Sequence, residues 1–160
     1  MTTYPRKAEL GKRMHARTII RQTFVELLKG RTMAANRVYD SRLYNLESVG
    51  LPSIIVFATN ETIANNTISK PRSQQDRSLR ITVECYAKAT ATVNVIVDNL
   101  AVQIEQLVAS NQILRGLCKD CQLESTDINL NSEGDQPVAV VSIVFLVSYR
   151  THEDRPEIII

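Results

Sequence analysis

Apolar positions along this chain fall into two stripes at helical spacing and several runs at strand spacing. Ile20, Phe24, Leu27 and Leu28, with Met14 ahead of them, share one stripe while Arg13, Arg17, Arg21 and Glu26 take other faces, which predicts a helix packed on one side. Gly30 supplies its stop. Ser53 to Thr59 is a β-branched apolar run after Pro52, the pattern of an inner strand covered on both faces. Leu79, Ile81, Val83, Cys85 and Ala87 then alternate with Arg80, Thr82, Glu84, Tyr86 and Lys88, so one face of that strand meets a core and the other meets water. Val93, Ile96, Val97, Leu100, Ala101, Ile104, Leu107 and Val108 mark a second, longer helix, with Thr90 or Thr92 as its cap. Its many Val and Ile residues argue against helix by propensity, and their spacing decides for it. The strongest strand follows the turn Asn131 to Asp135, and its residues Ala139, Val141, Ile143, Phe145, Val147 and Tyr149 form one wholly apolar face.

Weaker patterns complete the order. Arg37-Val38-Tyr39 reads as a short strand, and Cys118 to Leu130 contains another. From Asn60 to Arg77 the chain turns to Asn, Ser, Gln, Thr, Lys and Pro, which bury too little apolar surface to offset the entropy of ordering, so 60–77 is predicted to be a mobile loop. Residues 1–12 lack periodicity and are expected to form a flexible arm. In the tail 152–160, Ile158, Ile159 and Ile160 follow Pro156 and dock either on a neighbouring subunit's sheet edge or back on the chain's own core. The order α-β-β-β-α-β-β predicts one α+β domain over 13–151, with two helices packed on a mostly antiparallel β-sheet.

Composition changes this picture little: 44% hydrophobic and 22% charged residues suit a globular chain. Charge changes it more. The net charge of +2 hides a basic start: residues 1–31 carry eight Lys or Arg against two Glu, and the other 129 carry eleven against fifteen Asp or Glu. That start runs into an amphipathic segment, not an apolar one, so no secretory signal is predicted and the chain is expected to stay in the cytoplasm. Val138 to Val147 is too short to cross a bilayer, and no membrane partner is expected. Arg13, Arg17 and Arg21 recur every four residues, either as a solvated helix face or as a basic lining for a DNA passage, where phosphate contacts would be independent of sequence.

Few constellations carry chemistry. Cys118-x-x-Cys121 has the spacing of a metal or redox pair, but only Cys85, His15 and His152 remain to join it, so these cysteines read as small hydrophobes or exposed thiols. Five glycines, dispersed, build no phosphate cradle. No catalytic residue, metal or cofactor is assigned. A small thiol-dependent enzyme or regulator built on Cys118 and Cys121 stands as the alternative from another class.

The stretch Arg37-Val38-Tyr39-Asp40-Ser41-Arg42-Leu43-Tyr44-Asn45-Leu46, followed by Leu51-Pro52-Ser53-Ile54-Ile55-Val56-Phe57, resembles the phage tail-terminator family typified by minor tail protein U of lambda-like phages. The likeness in element order extends over roughly 14–151. It implies a structural virion protein without enzymatic activity: a ring, hexameric in that family, that caps the head-proximal end of the tail tube, stops its polymerisation and offers a docking surface to the head-completion or neck connector. The partners it implies are other copies of the chain, the tail tube protein, the connector, the sheath in a contractile tail, and double-stranded DNA passing through the lumen. By the same resemblance, Lys70, Arg72 and Arg77 in 60–77 are the candidate tube-contacting charges, and Arg37, Tyr39, Arg42 and Tyr44 lie at a subunit or connector interface. Another neck or tail-completion protein of the same virion region fits these patterns too.

Overall fold

The computed structural model describes residues 13–41, 50–68, 70, 72–88, 92–131 and 138–160. Helix α1 covers Ala16–Leu28, and strands β1 (Val38–Asp40), β2 (Ser53–Asn65) and β3 (Gln74–Lys88) follow. Helix α2 covers Val93–Ala109, a 3-10 turn covers Leu114–Gly116, and β4 (Asp120–Asn131), β5 (Val138–His152) and β6 (Arg155–Ile159) close the chain. The class and the α-β-β-β-α-β-β order are those the sequence predicts. The arm 1–12, the residues Arg42 and Tyr44 and the turn 132–135 lie outside the described residues.

The sheet runs β1-β2-β3-β5-β4, antiparallel throughout except for the parallel β1–β2 pair. Both helices lie on one face, α1 over β1 and β2, and α2 over β3, β5 and β4. Ala139, Val141, Ile143, Phe145, Val147 and Tyr149 of β5 meet Leu79, Ile81, Val83 and Cys85 of β3 beneath the buried helix residues Ile20, Phe24, Leu100 and Ile104. Phe24 and Phe145 tie helix to sheet with ring centroids 5.6 Å apart. Met14 precedes α1 and is exposed, so it does not belong to the core stripe.

One expectation is corrected. The segment 60–77 is not a loop: β2 continues to Asn65 and β3 begins at Gln74, leaving only 66–73 as the connection. Main-chain pairing needs no apolar side chains when a template is present. β5 pairs with β3 back to Gln74↔His152, and β3 in turn pairs with β2 out to Asn65↔Gln75. For 152–160 the structure chooses between the two dockings left open. β6 pairs with β5 through Thr151↔Ile159 and His152↔Arg155, the fold-back form of the two dockings open to it.

Bulges decide which side chains face the helices. A register shift between Ala58 and Asn60 reverses parity along β2, so Glu61, opposite Leu79, turns toward the helix face. A second shift, between Leu123 and Ser125, does the same on β4. It keeps Cys121 and Leu123 on the same face as Ile128 and Leu130, although their sequence parity differs.

Candidate assembly surfaces

The described residues present a buried ionic cluster, a protruding hairpin and an open sheet edge. The cluster lies where the start of α1 covers the base of the β2–β3 hairpin. His15 caps α1, its Nδ1 accepting from the Arg17 main-chain N–H at 3.1 Å. Burial, followed by the neighbouring guanidinium of Arg17, holds the His15 pKa below its ordinary value. The Glu61 carboxylate accepts from Arg77 Nη1 at 3.0 Å, from Arg17 Nη1 at 3.1 Å and from the Tyr149 hydroxyl. Arg77 also donates through Nε to Thr151 Oγ1 and through Nη2 to Gln75 Oε1, both at 2.9 Å. With side chains only 5% and 7% exposed, Glu61 and Arg77 are charges that survive burial because each is paired and hydrogen-bonded.

This geometry reassigns most of the basic residues that the sequence singles out. Arg77 is buried in the cluster and is not a free charge of a docking loop. Lys70 and Arg72 do lie at the hairpin end, where Lys70 Nζ is 2.7 Å from Glu153 and Arg72 Nε is 3.5 Å from Asp154. Arg13 precedes α1 and so does not extend its basic face. Arg13 reaches Glu157 at 3.3 Å, Arg17 reaches Glu61, and Arg21 pairs with Asp40. All three cations already face a carboxylate of their own chain. Arg37 donates from Nε to the Pro52 carbonyl at 2.8 Å, which joins the start of β1 to the entry of β2, and Tyr39 is half-buried in β1.

The cysteines are all buried. Burial pushes the Cys85 and Cys121 thiols up to about 12 and the Cys118 thiol to about 11, and nearby carboxylates push in the same direction. A nucleophilic or redox-active thiol needs the opposite shift. Among the described residues, no group of three or more His, Cys, Asp or Glu side chains is placed to hold a metal.

The third surface is the outer side of β4, which ends the sheet. It pairs with β5 alone and carries Leu123, Ile128 and Leu130 on its helix-facing side, 47%, 53% and 54% exposed. Helix α2 covers this side of β4 only in part. Between the two runs a groove of about 420 Å³, lined by Glu105, Val108, Ala109, Gln112, Cys121, Leu123 and Phe145 among others. Val95 and Val102 of α2 are exposed as well. An edge with unpaired main-chain groups and half-exposed apolar side chains is what natural proteins usually blunt or cover. On the sheet face away from the helices, Arg80 donates to both oxygens of Glu124, at 2.7 and 2.8 Å, reaching from β3 past β5 to the β4 bulge.

Neither the cluster nor the groove was legible in the sequence, although the period-two pattern of β3, followed back from Leu79, does put Arg77 on the core face. The chain matches no protein-family model and no curated protein.

Proposed function

We propose that this chain is a structural assembly protein of the tail-terminator type, which joins its own copies into a ring, caps the head-proximal end of a phage tail tube and presents a docking face to the neck connector. The observation that carries the reading is the open β4 edge with its half-exposed Leu123, Ile128 and Leu130, a surface that gains stability when another polypeptide covers it. The resemblance over 37–57 supplies the identity of the assembly. In this reading the end of the β2–β3 hairpin meets the tube, and Lys70 and Arg72 exchange their partners Glu153 and Asp154 for groups on the tube. A guanidinium already balanced by a carboxylate offers little net charge to a phosphate, so Arg13, Arg17 and Arg21 are given no DNA-lining role. The thiol-dependent alternative is disfavoured by the raised pKa values of Cys118 and Cys121.

The test is tube length. Tail tubes assembled with the purified protein are expected to stop at a fixed length and to carry a ring at one end in negative-stain images, whereas tubes assembled without it overgrow. Tubes that reach their normal length in its absence would remove the terminator reading in favour of another neck or tail-completion role.

A further inference from the structure

The two edges of the sheet carry opposite charge. Helix α2 and strand β4 together hold Asp98, Glu105, Asp120, Glu124 and Asp127 and no Lys or Arg. The stretch Ala16–Asp40, which contains α1 and β1, holds five Lys or Arg against Glu26 and Asp40. The sheet order sets the strands of these regions apart, since β1 and β4 are its opposite ends; the helices meet above the sheet, where the Met33 N–H donates to Gln103 Oε1 at 2.8 Å and Arg115 reaches Glu26 at 3.4 Å, while Glu105 lies on the β4 side of α2. Several of the charges have no ionic partner among the described residues. Asp98, Glu105 and Asp127 on one side, and Lys29 and Arg31 on the other, make no ion pair with another described residue. The ion pairs of these regions are instead Arg17–Glu61, Arg21–Asp40, Arg80–Glu124 and Arg115–Glu26.

On α2, Val95, Asp98, Val102 and Glu105 follow one another at helical spacing along one stripe, whose Glu105 end borders the groove beside β4. Apolar area and negative charge thus alternate on a single surface. Two such acidic edges placed face to face would repel, which disfavours a two-fold dimer through this surface. An acidic edge against a basic one attracts, and a contact between two different patches of identical copies propagates head to tail.

We infer that the acidic α2–β4 edge of one copy docks on the basic α1–β1 edge of the next, covering Leu123, Ile128 and Leu130 and bringing Asp98 and Glu105 toward Lys29 and Arg31. The inference rests on the proposed ring for its closure. Such a heterologous contact closes into a ring when the rotation between copies permits, and grows as a filament when it does not. Opposite charge at its rim speeds association and rejects the wrong pairing, while the buried apolar side chains supply the lifetime.

Charge reversal tests it. In the full chain, D98K/E105K puts positive charge at the helix contact points of the acidic edge, and K29E/R31E puts negative charge at those of the basic edge. All four positions are at the surface, and circular dichroism verifies that each variant folds. By light scattering and negative stain, the wild type is expected to form closed oligomers. Each variant alone should associate at least tenfold more weakly, and an equimolar mixture should regain oligomers, because alternating copies restore an acid–base pair at every junction. Variants that assemble like the wild type, or a mixture of folded variants that stays monomeric, overturn this interface. Such a result leaves the terminator reading intact provided wild-type rings still cap tubes. Rings built through these edges that leave tubes uncapped overturn the terminator reading alone. A wild type that stays monomeric at high concentration, with and without tube ends, overturns both.

Discussion

Replacing Glu61 by Leu isolates the energetics of the cluster under α1. The substitution leaves the Arg77 guanidinium, 7% exposed, without its counter-charge, and it deprives the Tyr149 hydroxyl of its acceptor. Arg77 keeps its bonds to Thr151 and Gln75, and Arg17, 44% exposed, returns to water. Breaking a buried pair from one side costs about 3–5 kcal/mol. For a chain of 160 residues, at about 2–4 °C per kcal/mol, that is a fall in Tm of roughly 6–20 °C. The double variant Glu61→Leu/Arg77→Met buries no charge and is expected to recover part of the loss, with a coupling energy of roughly 1–3 kcal/mol in the double-mutant cycle. Urea unfolding followed by circular dichroism at neutral pH measures all four corners. A Glu61→Leu loss below about 1 kcal/mol, or a double variant that equals the sum of the single ones, would show that the cluster is solvated in solution and would refute the reasoning.

The cap of α1 predicts a pH dependence. The lowered pKa of His15 means that the unfolded chain takes up the proton more readily, so its contribution to stability is full above about pH 6.5 and declines as pH falls through the folded value. His15→Asn keeps a capping acceptor without titrating and should remove that decline, whereas His15→Ala should cost about 1 kcal/mol at pH 7.5. An unchanged pH profile in His15→Asn would dismiss the imidazole as its source. The buried thiols predict that 5,5′-dithiobis(2-nitrobenzoate) labels Cys85, Cys118 and Cys121 only when the chain unfolds. Fast stoichiometric labelling of Cys118 or Cys121 in the native protein would reopen the thiol-dependent alternative.

The sequence by itself determined the two helices, the main strands, their order and the face of β5 that meets the core, because periodic burial of apolar side chains is written locally. It also marked β1 and β4 from fainter patterns. Only the tertiary structure decided the rest. The polar ends of β2 and β3 became strands because β5 templates β3 and β3 templates β2, a cooperation between segments distant in sequence that no local window contains. The cluster depended on a bulge. A single extra residue near Thr59 moves Glu61 to the helix side, where Arg77, Arg17 and Tyr149 converge from three other elements. Likewise, Leu123, Ile128 and Leu130 could be counted as apolar from the sequence, but their exposure follows from β4 lying at the end of the sheet, where α2 covers it only in part. Periodicity tells which side chains seek cover, and only the packing of the whole chain tells which of them fail to find it.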